Sequence, residues 1–386
     1  TIHGFNVDVF GFSVEITNTE RGDVQDANTN ALGNEILVTV TRQGEIMKNL
    51  IALCASLLLL VSPVQARDFS RLYEKVAATV VTLTTKEVVE KETNKGVSSK
   101  NAHSLGSGVL LKGGYILTAS HVVHIADRIE VELRDGRHFV AKPISTLPLA
   151  DLALIRIVDA PIDLPAARIG DSDIMKIGEE VFVVGAPYGI SQTLTTGNFS
   201  GRRVQLDDHH AFKLEFLQTD APINRGNSGG PMFNLRGEII GIVSHIRSTS
   251  GGSEGLGFAA SIQMAKDLLL DRPPIWSGLD YIVLTPTLAR ALNSPSDDGI
   301  LIQRVAYGSL GDKLGLQPGR IAAKILGRDM LLGGDLVLTI GGLPIKHDPA
   351  SVRYIIDYLS SVKESEPVVV EVFRDGKIVE LTATRK

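Results

Sequence analysis

Residues 219–231 read Thr219-Asp220-Ala221-Pro222-Ile223-Asn224-Arg225-Gly226-Asn227-Ser228-Gly229-Gly230-Pro231, and the centre of that stretch decides how the chain is read. Glycine on both sides of Ser228 lets the backbone turn sharply, so the N–H groups of Gly226 and Ser228 can converge on one point. Alone, such a run is equally a flexible turn. Two earlier islands change its meaning. Leu117-Thr118-Ala119-Ser120-His121-Val122-Val123 carries a histidine at the end of an apolar run, and Ala150-Asp151-Leu152-Ala153-Leu154-Ile155 opens a second run on an aspartate. His, Asp and Ser thus arrive in that order, each at a strand end.

The residue types fit one chemistry. A serine hydroxyl is a poor nucleophile at neutral pH until a neighbouring imidazole takes its proton. A buried carboxylate must hold that imidazole in the right tautomer and stabilise its charged form. General-base help of this kind is worth about 10²–10⁴ in rate. An oxyanion donor at a glycine turn adds about 2.7–4 kcal/mol. His121, Asp151 and Ser228 are the expected catalytic set, with Gly226, Asn227 and Ser228 at the oxyanion turn. His124 lies one helical turn beyond His121, but no Cys, Glu or third His stands at ligand spacing, so neither a metal nor a cofactor is expected.

Around these islands lie short apolar runs punctuated by Gly, Asp and Pro, such as residues 108–111, 115–119, 129–133, 181–185 and 239–244. Strands at that spacing argue for a barrel or sandwich. Helical spacing over 69–76 precedes a Val/Thr-rich strand over 77–85, while the polar stretch 86–103 reads as a loop. Residues 262–270 read as a closing helix, and Asp271-Arg272-Pro273-Pro274 as a stiff linker.

The segment before these islands is of another kind. The first Met is Met47. Lys48, an apolar run from Leu50 to Val61, Pro63 and the small-residue site Val64-Gln65-Ala66 follow in the order of a secretory signal peptide, with cleavage expected after Ala66. Residues 1–46 are then an upstream, non-functional extension, marked by seven acids against two bases. An uncleaved signal, kept as an anchor, is the alternative. The only cysteine, Cys54, lies inside the signal, so the exported chain has no disulfide and relies on its cores. With 44% hydrophobic and 22% charged residues in 386, the chain is globular and large enough for two or three domains. The net charge of -5 includes no basic stripe, which argues against nucleic acid as a partner.

The carboxyl-terminal unit has its own signals. Asp348 caps a helix with Pro349 at its first position and an apolar face of Val352, Ile355, Ile356, Leu359 and Val362. Gly334 to Gly342 reads as a hairpin, and Arg374-Asp375-Gly376 as a turn between two strands. Residues 320–332 read as an insertion, either a lid or a surface hairpin.

Together these islands resemble the HtrA/Deg family of trypsin-like serine proteases. The resemblance runs from Phe69 to Lys386 and includes Gly106-Ser107-Gly108, Gly185-Ala186-Pro187-Tyr188-Gly189 and Gly255-Leu256-Gly257-Phe258-Ala259. It implies a mainly β fold: a double β-barrel protease domain over 67–270, a linker over 271–276 and an α+β PDZ domain over 277–386. It implies a cell-envelope endopeptidase acting on unfolded or damaged proteins, with no cofactor, in the periplasm or otherwise secreted. A homotrimer or higher oligomer is implied, with Phe69 and Tyr73 at the threefold contact. Ser244, His245 and Ile246 match the strand that pairs with substrate beside its primary pocket, where His245 replaces a smaller residue. The resemblance puts Trp276, Ser277, Gly278 and Leu279 at the loop that captures a peptide carboxylate. Asn227 replaces the Asp that digestive relatives pair with a freed amino terminus, so activation by loop ordering is expected instead, around 191–196, 205–213 and 247–254. A proteolytically silent chaperone or peptide-binding protein on the same scaffold is the alternative.

Overall fold

The apolar runs form strands, and many of these are buried on both faces. The computed structural model describes residues 4–9, 12–19, 35–40, 68–93, 96–190, 192–206, 213–250, 252–346 and 348–384. They divide into two compact units, Thr1–Asp68 and Phe69–Lys386. In the first, β1 (Gly4–Val9), β2 (Phe12–Thr19) and β3 (Glu35–Val40) form an antiparallel sheet. The described stretches of residues 1–46, expected to be a non-functional extension, are thus strands. The signal segment 47–66 lies outside the described residues.

The second unit opens with α1 (Ser70–Ala77). A first barrel follows: β4 (Val80–Thr93), β5 (Gly96–Leu110), β6 (Tyr115–Thr118), β7 (Arg128–Glu132), β8 (His138–Leu147) and β9 (Leu152–Ile157). A single helical turn, α2 (Ser120–Val123), leaves β6. The barrel closes in the order β4-β5-β6-β9-β8-β7. The second is built from β10 (Arg168–Ile169), β11 (Glu180–Gly185), β12 (Thr193–Leu206), β13 (Lys213–Thr219), β14 (Pro231–Asn234), β15 (Glu238–Ile246) and β16 (Gly257–Ser261). Pairing of β15 with β16 closes it through β14, β11, β12 and β13, and β10 adds in parallel to β15.

Period-2 alternation explains the unbroken apolar runs. Along β11, Val181 and Val183 face the interior of the second barrel, while Phe182 and Val184 join a core shared with Leu117 and Leu152 of the first barrel. Ile116 and Ala153, next to those two in the chain, fill the first barrel instead, together with Ile155. The shared core also takes Phe233, stacked on Phe182 at 5.2 Å, and Phe69, edge-on to Phe182 at 5.9 Å. Each fully buried Phe contributes about 1.5–3 kcal/mol. Phe69 and Tyr73, expected at a threefold contact, are half-buried on this chain itself, with Tyr73 Oη donating to Gln192 O at 3.0 Å.

One expectation is overturned. The polar stretch 86–103 is no loop: β4 runs on to Thr93 and pairs with β5 in register from Val80↔Val109 to Thr93↔Gly96. A two-stranded arm is held by main-chain bonds, which its polar sequence does not reveal.

Ser261 caps the closing helix, accepting from Met264 N; α3 (Ile262–Ala265) then passes into a π-helical turn over Lys266–Leu270. The expected linker is docked. Arg272 donates to Asp267 O and Asp357 Oδ1, and Ile275 exchanges bonds with Ser145 Oγ and Thr146 N. The rest comprises β17 (Leu279–Val283), α4 (Pro286–Ala291), β18 (Ile300–Val305), α5 (Leu310–Lys313), β19 (Ile321–Ile325), β20 (Arg328–Leu332), β21 (Leu336–Ile340), β22 (Leu343–Pro344), α6 (Pro349–Ser361), β23 (Pro367–Arg374) and β24 (Lys377–Thr384). Its sheet runs β17-β18-β21-β23-β24, with β22 on β21. The insertion is a hairpin, β19 on β20. Asp348 Oδ1 accepts from Ser351 N at the start of α6, as its sequence predicts. The apolar face of α6 is divided: Ile355 and Leu359 pack into the local core, whereas Ile356 packs against the core of the barrels.

Candidate active site

Antiparallel pairing brings His121 and Asp151 together. Thr118, the last residue of β6, is opposite Ala153 near the start of β9. The chain leaving β6 and the chain entering β9 therefore share one end of the barrel. Val122 and Val123 anchor α2 in the barrel core and turn His121 outward. Asp151 adopts a left-handed φ of 52° after the turn Pro148–Ala150, a conformation Asp tolerates better than most residues. His121 Nδ1 lies 2.9 Å from both Asp151 oxygens, and His121 N donates to Oδ1 at 3.0 Å. Ser244 Oγ donates to Oδ2 at 2.5 Å.

The electrostatics follow from these contacts. Burial works to lower the His121 pKa, but the hydrogen bond and charge of Asp151 outweigh it and raise the net value. Burial works to raise the Asp151 pKa, and its bonds to His121 and Ser244 outweigh that, leaving it lowered. Nδ1 carries the hydrogen shared with the carboxylate, so neutral His121 keeps its lone pair on Nε2.

Ser228 comes from the second barrel, and Ser107 clamps its loop to the first. Ser107 Oγ donates to Gly226 O at 2.7 Å and accepts from Ala186 N at 2.9 Å. Ser107 N donates to Ser228 O at 2.8 Å. Gly229 has φ +82°, and a Cβ there would meet Thr118 Oγ1 at 2.1 Å. The carbonyl of Arg225 accepts from Tyr188 N at 2.8 Å. A trans peptide points its N–H opposite to its C=O, so the Gly226 N–H turns away from Tyr188. Among the described residues, neither Gly226 N nor Ser228 N donates a hydrogen bond. Asn227 N donates to Asn224 O at 3.0 Å, so of the three residues expected at an oxyanion turn Asn227 already has its N–H engaged. Ser228 Oγ reaches Ser244 O at 3.5 Å, and no bond joins it to His121.

The other expected residues separate. Ser244 sits at a bulge between Val243 and His245, which aims its hydroxyl at Asp151. His245 stacks on Phe258 at 5.0 Å, and Ile246 packs on the core of the second barrel. Of the loops expected to order on activation, Ser191, residues 207–212 and Gly251 lie outside the described residues. Ser248, Thr249 and Ser250 converge on the Glu254 carboxylate, whose pKa these bonds lower to about 2. His124 donates from Nδ1 to Ser120 O, the tautomer its contact requires. Among the described residues no group of three His, Cys, Asp or Glu could hold a metal.

At the carboxyl-terminal loop, the carbonyls of Trp276, Ser277 and Gly278 accept from Leu310, Gly311 and Ala306. The N–H groups in those same peptide units point the other way. Beside the loop, an apolar groove of about 380 Å³ runs between β17 and α6, with Leu147, Leu149 and Leu268 of the barrels as its far wall. Trp276 Nε1 donates to His124 O at 3.1 Å, tying this loop to the helical turn that carries His121. Sequence reasoning missed the clamp of Ser107 and the barrel wall of the groove. The first had a signal in the close-packed Gly106 and Gly108 that flank it; the second, plain leucines, had none.

A proton acceptor on one barrel facing a serine loop on another is the arrangement of trypsin-like serine peptidases, and the trypsin-like peptidase domain matches residues 106–242. The DegP-like periplasmic serine endoprotease of Marinomonas sp. is 34% identical over 356 residues, covering 82% of this chain and 71% of its own length. That of Hahella chejuensis is 40% identical over 249 residues, 63% of this chain and 52% of the relative. A solved serine-to-alanine variant of the HtrA-type protease AlgW, with a decapeptide, is 30% identical with a TM-score of 0.50 and covers 82% of this chain and 97% of its own. The chain belongs to the HtrA/Deg family of trypsin-like serine proteases.

Proposed function

We propose that the protein is a periplasmic serine endopeptidase that cleaves unfolded or damaged proteins through an acyl-enzyme, with His121, Asp151 and Ser228 as its triad. The observation that carries this reading is the 2.9 Å contact of His121 Nδ1 with Asp151 beside a serine loop whose two N–H groups are undonated. The reading requires the Ser228 side chain to rotate from Ser244 O so that Oγ meets His121 Nε2. Oγ attacks the peptide carbonyl as Nε2 takes its proton, and the oxyanion forms between Gly226 N–H and Ser228 N–H. Nε2 then protonates the departing amine. Water then attacks the acyl carbonyl as it loses its proton to the same nitrogen, and Nε2 returns that proton to Ser228 Oγ as the acid leaves. Substrate pairs along Ser244, His245 and Ile246.

The carboxyl-terminal unit acts as a PDZ domain. A peptide carboxylate enters the loop at Trp276, Ser277, Gly278 and Leu279, and its chain adds as a strand beside β17. The DegP-like relatives named periplasmic support the location, with export through the 47–66 segment; a homotrimer follows the family resemblance.

The test is labelling by a fluorophosphonate probe, with Ser228→Ala alongside. Labelling that is lost on substitution supports the reading. Absence of labelling, with unfolded protein and hydrophobic carboxyl-terminal peptides present, overturns it in favour of a silent peptide-binding scaffold.

A further inference from the structure

Ser244 is shared. Its Oγ lies 2.5 Å from Asp151 Oδ2 and 3.0 Å from His245 Nδ1. A serine hydroxyl has one hydrogen, and an ionised carboxylate can only accept. The hydrogen therefore goes to Asp151, and toward His245 the same oxygen can only accept. Nδ1 of His245 must carry a hydrogen, which leaves the Nε2 lone pair on the neutral ring. The ring is held for this by stacking on Phe258 at 5.0 Å, 16° between planes, and by the edge contact of Phe216 at 5.4 Å.

We propose that His245 is a positioning residue of the triad, whose Nδ1–H holds the Ser244 hydroxyl and through it the Asp151 carboxylate against His121. The donors run in one sense, from His245 to Ser244 to Asp151, with His121 donating from the other side. Bonds aligned in this way polarise one another. The groups facing His245 are Ser244 and Arg247 on its own segment, Asp151 and His121 from the first barrel, and the uncharged Phe216 and Phe258. Burial first, then Arg247 and His121, lower its pKa against the pull of Asp151. It is thus neutral wherever His121 is neutral and works as a fixed donor.

This inference rests on the proposed protease reading, and two variants separate its parts. His245→Phe keeps a ring on Phe258 and removes the donor. His245→Asn keeps a donor near Nδ1 and removes the ring. With a peptide substrate, His245→Phe lowers kcat about 3- to 10-fold, the scale of one lost neutral hydrogen bond. It also moves the acid limb of the kcat/KM profile upward, because a less well bonded Asp151 holds the His121 proton more tightly. His245→Asn brings both readings closer to wild type than His245→Ala does. With Ser244→Ala already in place, His245→Phe has no further effect. Wild-type kcat and limb in His245→Phe overturn the proposal, as does an undiminished effect in the Ser244→Ala background. Should His245→Phe not fold, Asn no better than Ala overturns it equally. Fluorophosphonate labelling of the wild type separates the two claims: no labelling defeats the protease reading, and labelling without these effects defeats only the role of His245.

Discussion

The cleft and the carboxyl-terminal groove lie on either side of one short segment, Leu147–Asp151, and they are built by opposite rules. In the cleft, position comes from polar atoms with fixed directions: Asp151 binds His121 and Ser244, and Ser107 clamps the Ser228 loop. In the groove, Leu147, Leu149, Tyr281, Ile355 and Leu359 contribute shape and apolar area, and any of them could be exchanged for a similar volume. Directional sites fail sharply when one atom is lost. Apolar sites fail in proportion to the area removed.

The largest expected effect is therefore in the cleft. Asp151→Asn preserves shape but presents the wrong partner to His121 Nδ1, and kcat falls about 10⁴-fold on the scale of such changes in trypsin-like enzymes. The pH profile sharpens the point. His121 must be neutral to act, so wild-type kcat/KM declines as pH drops through its pKa, which Asp151 raises above the ordinary imidazole value of about 6.5. In Asp151→Asn only burial remains, and the residual activity keeps its acid limb at lower pH. An unmoved limb would show that Asp151 does not set the charge of His121.

Next comes Gly226→Ala. The position has φ +101°, and a Cβ would meet Ala186 O at 2.1 Å, so the peptide must rotate. Rotation removes one of the two proposed oxyanion donors, and kcat falls about 10²–10³-fold while the fold is retained. Steady-state kinetics with circular dichroism checks this.

That contrast also explains what was legible. Gly226, Gly229, His121, Asp151 and Ser228 stand out in the sequence because a turn, a close approach or the proposed proton transfer admits few residue types. The barrels are readable because strands buried on both faces leave unbroken Val/Ile runs. The arm β4–β5 was misread because its ladder is main-chain and its composition polar. Ile356 was assigned correctly to an apolar face, but periodicity says nothing of which neighbour that face meets.

Ile356 gives the intermediate test. It is half-buried against the core shared by the barrels, so Ile356→Ala loosens the docking of α6 by about 1–2 kcal/mol and leaves the cleft chemistry intact. Hydrogen exchange should rise in α6 and the 271–276 linker, with fluorophosphonate labelling unchanged. A fall in labelling would mean that the two regions are not separable.

The smallest effect tests the same boundary with charge. Glu87 on β4 is paired with Arg304 on β18, and the Glu side chain is 19% exposed against 35% for the Arg. Burial, ahead of the offsetting Arg304 charge, raises the Glu87 pKa. A raised folded pKa means that this group's stabilising contribution is full below the unfolded value, about 4.3, and is lost as pH rises through the folded one. At neutral pH the ionised carboxylate is thus a burden that Arg304 only partly relieves. Glu87→Gln removes that burden and leaves an arginine that water can reach, so stability changes by less than about 1 kcal/mol. Arg304→Gln leaves the more buried charge alone and costs more. Thermal melts of both variants at pH 7 read the asymmetry, and it should shrink on acidification as Glu87 takes a proton. Equal losses from the two would mean that attraction within the pair, rather than the burial cost of the carboxylate, decides the stability of this contact.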